Sequence, residues 1–190
     1  MERADNGLAF MLRYENIAWY EDGKVRILDR RVYPRKVEFV VCNTHQEVTQ
    51  AIRDMVTQSA GPYTAAAMGM ALAAYECRNM SEEKQLEYLL AASDNISHAR
   101  PTTVARMSLI TGGCLEAAKI ALKNGTDVSE AIVEYTVKGA AELLLATGNA
   151  PQIEIDKVTT PGGMTQKGLA AMDQAGFSQA VADGLNACLK

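Results

Sequence analysis

The sequence has few of the residues that bind zinc or form disulfides. Its 190 residues include four cysteines and two histidines, and the cysteines lie far apart, with no CxxC pair, at positions 42, 77, 114 and 188. Zinc sites and disulfide frameworks need such residues at close and regular spacing. The sequence therefore predicts no metal ion and no disulfide, and it predicts that the thiols are buried structural groups.

Positive charge and long hydrophobic runs are scarce as well. The net charge is −4, and contact with nucleic-acid phosphates needs a basic face. The longest apolar stretch, YTAAAMGMALAAY at 63–75, is too short to span a bilayer. The first residues, MERADNG, do not form a signal peptide. We expect a cytoplasmic protein with neither a nucleic-acid nor a membrane partner.

The strand signal lies between residues 14 and 42. Asp22 and Gly23 form a hairpin signal between the runs IAWYE and KVRIL, and a third run, VEFVVC, follows Pro34. These runs predict a three-stranded antiparallel meander. From residue 44 the pattern is helical. The predicted helices span 44–57, 61–77, 82–93, 101–123, 127–147, 152–158, 165–175 and 178–189, so the expected fold class is α+β, mostly α.

The helix predicted at 127–147 has clear signals at its start and along its faces. Asp127 can cap it with Glu130 at the third position. A stripe of apolar and small residues, which includes Val128, Ile132 and Tyr135, lies opposite a stripe of glutamates and a lysine. The three small residues Gly139, Ala140 and Ala141 are explained either by ordinary core packing or by a specialised dimer contact.

The first half of the chain carries three segments of a known family. IAWYEDGKVRILDRRVYP at 17–34, EVTQAIRDMVTQSAGPYTAAAMGMALAA at 47–74 and ARPTTV at 99–104 resemble the N-terminal domain of methylthioribose-1-phosphate isomerase. The same domain occurs in the ribose-1,5-bisphosphate isomerases and the regulatory subunits of translation initiation factor 2B. The resemblance implies an N-terminal domain of a meander and helices over residues 1–111.

The second half resembles another family, through three segments of its own. GTDVSEAIVEYTVKGAAELLLATG at 125–148, DKVTTPGGMTQKGL at 156–169 and QAGFSQAVADGLNA at 174–187 are similar to the dimerisation domain of pyrroline-5-carboxylate reductase. The resemblance implies a helical dimerisation domain over residues 112–190. It also implies an intertwined homodimer, because that domain dimerises by exchanging helices.

Both resemblances come without the chemical machinery of their families. The reductases bind their nicotinamide cofactor through a glycine fingerprint, and no GxGxxG occurs in this sequence. We therefore expect no cofactor. The isomerases keep their catalytic cysteine and aspartate in a C-terminal domain that has no matching segment here. Their phosphate-contacting RGAPAIG appears as QSAGPYT at 58–64, with Gln58 in place of the arginine. No residue is assigned a catalytic role.

One candidate ligand site is the turn Thr160–Thr165. Pro161 has no N–H and fixes φ, so the amides that follow it point forward from the start of a helix, which suits a carboxylate or phosphate. The resemblance to the reductases implies that this loop holds a substrate carboxylate. The ligand-binding residues predicted here are Thr160, Gly162, Gly163, Met164 and Thr165. The alternative is a turn whose glycines only allow close packing.

A second candidate lies in SHARPTTV at 97–104. Pro101 starts a helix, Thr102 lies in its first turn, and Arg100 just before it can reach an anion. In the isomerase relatives this arginine position helps to bind the sugar phosphate. A capping sequence with a structural ion pair explains the same residues.

Three classes of function remain open. The first is a homo-oligomeric protein that binds a small anionic metabolite, carboxylate or phosphate, without nicotinamide chemistry. The second is a cofactor-free sugar-phosphate isomerase or related enzyme whose site is shared between subunits. The third is a regulatory or scaffolding subunit of another enzyme. An acid–base pair beside the anion site would distinguish an enzyme from a binding protein.

Overall fold

The computed structural model describes residues 13–136, together with Phe10, Gln174 and Gly176. The chain divides into two compact units, Met1–Ala140 and Ala141–Lys190, and residues 13–136 lie in the first. The domain boundary at 111/112 stays a prediction. The helices predicted beyond residue 147 lie outside the described residues, except for single positions.

The predicted meander is confirmed. Its strands are β1 (Ala18–Glu21), β2 (Lys24–Leu28) and β3 (Phe39–Cys42), antiparallel in the order β1-β2-β3. Asp22 and Gly23 form the β1–β2 turn with φ of 48° and 72°, the positive values that two-residue hairpins require. The inner face of the sheet, which includes Val25 and Ile27, is completely buried.

Four helices follow, and their bounds agree with the sequence pattern to within a few residues. They are α1 (His45–Arg53), α2 (Gly61–Cys77), α3 (Glu82–Ser97) and α4 (Val104–Asn124). A further helix, α5, begins at residue 128 and is described to residue 136. The α+β, mostly α, fold class is confirmed. No helix among the described residues is long and apolar enough to cross a membrane.

Helix α2 is the centre of the first unit. Its sequence is apolar on all sides, which is typical of a helix surrounded by other elements, and it packs against α1, α3, α4, β1 and β2. Gly69 makes this possible, because a Cβ atom there would lie 3.0 Å from Val48 Cγ1 and 3.2 Å from Ile96 Cδ1. Two neighbouring helices therefore approach the α2 backbone closely.

The start of α5 agrees with the predicted cap. The Glu130 backbone N–H donates to Asp127 Oδ1 at 2.8 Å, and Ile132 is buried while Glu134 is exposed. Tyr135 belongs to the apolar stripe that is expected to be buried, but it is 44% exposed. Its hydroxyl and one edge of its ring lie against Gly113 of α4.

Candidate functional site

A small cavity lies where the end of β2 meets the start of α2, and we call it the α2 pocket. Its volume is about 190 Å³. The loop that closes it, Thr57–Gly61, contains the first residues of the QSAGPYT segment that replaces the isomerase phosphate loop. The pocket is lined by Asn16, Ile17, Leu28, Arg30, Thr57, Gln58, Ser59, Ala60 and Gly61.

Arg30 supplies the positive charge of the α2 pocket. Its neighbour Arg31 is neutralised by Asp29 through two hydrogen bonds, of 2.8 and 2.7 Å. This bidentate contact with Arg31 holds the pKa of the Asp29 carboxyl below its ordinary value, although burial opposes the shift. Among the described residues Arg30 has no such partner, and its Nε is buried without a hydrogen bond. A buried polar atom of this kind lacks the acceptor it would have had in water.

The beginning of α2 faces the same pocket and also favours an anion. No side chain caps this end of the helix, and its first turn holds no acidic residue. The positive end of the 17-residue helix dipole is therefore not neutralised locally. Most of the surface that the lining exposes is apolar, so the Arg30 guanidinium and the helix N-terminus are the two features that suit a phosphate or carboxylate group.

The loop of the α2 pocket has a constrained backbone. Ser59 has a φ of 58°, a conformation that costs a non-glycine residue about 1–3 kcal/mol. Gly61 lies so close to Thr57 that a Cβ atom would collide with Thr57 Oγ1, and it would also lie 3.6 Å from Ile17 Cγ2. The loop is thus held in one shape by tight local packing.

Arg100 and Thr102 lie at the end of the helix bundle where α2 begins. Arg106, near the start of α4, donates to Tyr63 Oη, near the start of α2, at 3.5 Å. Arg100 and Thr102 immediately precede α4. The Arg100 carbonyl accepts from the Thr103 backbone N–H at 3.1 Å, while its guanidinium has no hydrogen bond or ion pair with the residues described here.

The segment around Thr102 is shaped differently from the prediction. Pro101–Thr103 is a 3-10 turn, so the α-helix predicted from residue 101 begins at Val104. Thr103 turns its hydroxyl back to the Arg100 carbonyl at 3.2 Å, which favours a turn over a helical start. Thr102 is exposed.

The other predicted ligand site cannot be compared with the structure. Thr160, Gly162, Gly163, Met164 and Thr165 lie outside the described residues. Their role in anion binding stays a prediction.

The described cysteines are buried, as predicted, and are unsuited to nucleophilic chemistry. Burial raises the pKa of Cys42 to about 11 and that of Cys114 to about 12, and Cys77 is buried as well. A thiol with such a pKa is almost entirely protonated at neutral pH. Among the described residues, no group of three His, Cys, Asp or Glu side chains is placed to hold a metal ion.

Sequence reasoning missed Arg30. The only local signal is the pair Arg30-Arg31 after a strand, and a single sequence does not show which arginine is neutralised. Alternation along β2 places Arg30 on the same side as Arg26 and Leu28. It does not predict that Arg30 approaches the Thr57–Gly61 loop. That approach depends on tertiary structure.

Comparison with known proteins assigns relatives to both halves. The family described as pyrroline-5-carboxylate reductase dimerisation matches residues 104–190. The chain is 41% identical over 86 residues, 45% of its length, to a methylthioribose-1-phosphate isomerase of Natranaerobius thermophilus. It is 54% identical over 54 residues, 28% of its length, to pyrroline-5-carboxylate reductase 1 of Dictyostelium discoideum. Both predicted resemblances are confirmed.

A solved structure supports the isomerase-like half. The delta subunit of translation initiation factor eIF-2B from A. fulgidus superposes with a TM-score of 0.57 and 28% identity, over 67% of this chain and 37% of that one. The chain spans 25% of the length of the N. thermophilus isomerase and 10% of that of the D. discoideum reductase. The similarity therefore concerns parts of those proteins.

Proposed function

We propose that this protein binds a small anionic metabolite, through a phosphate or carboxylate group, in the α2 pocket. The observation that carries the proposal is Arg30, which lines the pocket beside an uncapped helix N-terminus and has no carboxylate partner among the described residues. A volume of about 190 Å³ is below the usual 300–1,000 Å³ of sites that enclose a whole ligand. The pocket is therefore suited to one anionic group of a ligand that extends outward.

Two further segments are proposed parts of ligand binding. Arg100 precedes the helix that starts beside α2, and its guanidinium is available to an anion at this end of the bundle. The Thr160–Thr165 turn is proposed as a carboxylate site on the strength of the reductase resemblance.

Neutralising Arg30 is expected to weaken ligand binding strongly. A hydrogen bond to a charged group contributes about 1.5–3 kcal/mol, so Arg30→Met should lower the affinity for ribose 5-phosphate by about tenfold or more. Titration calorimetry measures this directly. Arg35→Met is the matched control, because Arg35 is exposed and lies outside the pocket lining. The affinity of this variant for ribose 5-phosphate should equal that of the wild type. Equal losses in both variants would contradict a specific role for Arg30.

The relatives of the first half of the chain support the alternative function, a sugar-phosphate isomerase. The described lining of the α2 pocket contains no carboxylate, imidazole or thiol, so this chain's pocket offers binding groups and no evident acid or base. Incubation with methylthioribose 1-phosphate, followed by NMR detection of a ketose, separates the two functions. Turnover by the purified protein would establish the enzyme. Binding without turnover supports the binding protein or a regulatory subunit.

We also propose an intertwined homodimer, for which α4 offers a contact surface. Leu109 is 78% exposed and Ile120 is 62% exposed, and eleven residues place them on one side of the helix, three turns apart. Between them, Gly112 has no atom within 4 Å of where a Cβ would lie. This exposed stripe lies within the region that matches the dimerisation family.

Charges placed on this stripe should dissociate the dimer. Leu109→Lys combined with Ile120→Lys would bury unpaired ammonium groups in the contact, so we expect self-association at least about tenfold weaker. Light scattering at micromolar concentration gives the mass. Val37→Lys is the control, because Val37 is 55% exposed in the loop before β3. A monomeric wild type, or a double variant that stays dimeric, would contradict the proposed contact.

A further inference from the structure

A second cleft lies on the outer face of the sheet, at the β1–β2 turn, and we call it the hairpin cleft. Its volume is about 380 Å³, within the range of small-molecule sites. It is lined by Trp19, Glu21, Asp22, Lys24, Arg26 and Val41. It shares no lining residue with the α2 pocket.

Arg26 is the central residue of the hairpin cleft. In the sheet it pairs with Trp19 on one side and with Val41 on the other. Its Cζ lies 5.2 Å from the centre of the Phe39 ring, so an aromatic contact positions the guanidinium. The Nε of Arg26 is buried without a hydrogen-bond partner. Because the Arg26 side chain also lines the cleft, its guanidinium can pair with a carboxylate of a ligand.

Acidic groups line the same cleft and are also unpaired. Glu21 and Lys24 are opposite each other across the hairpin, yet they form no ion pair, and Asp22 forms none with any residue that the structure describes. Lys24 and Arg26 balance Glu21 and Asp22, so the lining carries no net charge. Such a mixed lining attracts a dianion such as a phosphate ester less than a zwitterion whose ammonium group lies beside the carboxylates.

We propose that the hairpin cleft binds a small zwitterion that carries a carboxylate and an ammonium group beside an apolar side chain, as an α-amino acid does. The carboxylate pairs with Arg26, and the ammonium group lies near Glu21 and Asp22. Trp19 and Val41 supply the surface for the apolar part. This site is independent of the function proposed for the α2 pocket.

Trp19 provides a direct test, because it is the one tryptophan of the chain and it lines the cleft. Its fluorescence is followed during titration of the intact protein with L-phenylalanine, phenylacetate, phenethylamine and phenyl phosphate. We expect a saturable change with L-phenylalanine and affinities about tenfold or more weaker for the other three. Equal affinity for phenylacetate, tighter binding of phenyl phosphate, or no saturable change with any probe would overturn the proposal.

Two variants locate the binding groups. Arg26→Met should weaken L-phenylalanine binding about tenfold or more, whereas Arg35→Met should leave it unchanged. Asp22→Asn retains the turn, because asparagine tolerates the φ of 48° found there. It should reduce the preference for L-phenylalanine over phenylacetate. If neither Arg26→Met nor Asp22→Asn changes the titration while both stay folded, the proposal is wrong.

Discussion

Replacing Glu76 with alanine is expected to lower the free energy of unfolding by about 3–5 kcal/mol. The Glu76 carboxylate accepts three hydrogen bonds near the end of α2. They come from the His45 backbone N–H at 2.9 Å, His45 Nδ1 at 2.5 Å and the Tyr88 hydroxyl at 3.0 Å. The His45 side chain is 6% exposed and that of Glu76 is 16% exposed. Water therefore cannot easily replace the lost acceptor.

Urea unfolding of three variants tests this contact. Tyr88→Phe removes one donor and should cost about 1 kcal/mol. Glu76→Gln keeps one acceptor oxygen and should fall between Tyr88→Phe and Glu76→Ala. A Glu76→Ala protein as stable as Tyr88→Phe would show that the carboxylate does not join α1, α2 and α3.

The Glu76 carboxylate should also make the free energy of unfolding depend on pH in the acidic range. Burial alone would raise the pKa of Glu76, but the hydrogen bonds and charge of His45 and the Tyr88 hydroxyl outweigh it and lower the pKa from its ordinary 4.5. The stabilisation is therefore fully present above the ordinary pKa and is lost as pH falls through the lower folded-state pKa. Between about pH 5 and pH 3, stability should fall more steeply in the wild type than in Glu76→Gln.

Replacing Gly23 with alanine is expected to lower the free energy of unfolding by about 2–4 kcal/mol. Its φ of 72° costs an L-residue about 1–2 kcal/mol. The new Cβ would also collide with the Tyr75 ring, at 2.8 Å from Cζ and 2.9 Å from Cδ1, and overpacking typically costs about 1–3 kcal/mol. The half-buried ring also contacts Arg78, whose Cζ lies 3.6 Å from its centroid, and Tyr20, at 6.5 Å between ring centroids.

Gly125 provides the matched control for Gly23. It has a similar φ of 66° at the end of α4, but no atom lies within 4 Å of where its Cβ would be. Gly125→Ala should therefore cost about 1–2 kcal/mol, from the backbone alone. Thermal or urea unfolding of both variants isolates the contribution of Tyr75. Equal losses at the two positions would show that the hairpin does not pack tightly on α2.

Local signals explain why much of the fold was predictable. The positions of the hairpin turn and of α2, Gly61–Cys77, agree with the predictions, because Asp-Gly favours the positive φ of a hairpin turn and proline favours the first turn of a helix. The predictions are less accurate for helix ends that lack such signals. α3 was predicted to end at residue 93 but continues to Ser97, where Ile96 packs beside Gly69 of α2.

Helix α1 shows the opposite error. It was predicted to reach residue 57 but ends at Arg53, because Met55 adopts a φ of 61° and the chain turns toward β2. The Arg30 backbone N–H then donates to the Val56 carbonyl at 2.8 Å. The residues IRDMVTQ alone do not predict this turn, because Arg30, with which the turn forms its hydrogen bond, lies more than twenty residues earlier in the chain.

By itself, the sequence determined the mostly helical α+β class, the meander, the buried thiols and the two family resemblances, because each depends on residues close together in the chain. Tertiary structure alone decided what surrounds Arg30 and Arg26. Asp29 pairs with Arg31 only two residues away, but Arg30 meets the distant Thr57–Gly61 loop at the α2 pocket. Arg26 lies between two neighbouring strands, and its Nε has no hydrogen-bond partner among the described residues. The free energy of a charge depends on the partners and solvent that the folded chain places around it, and no local pattern contains that information.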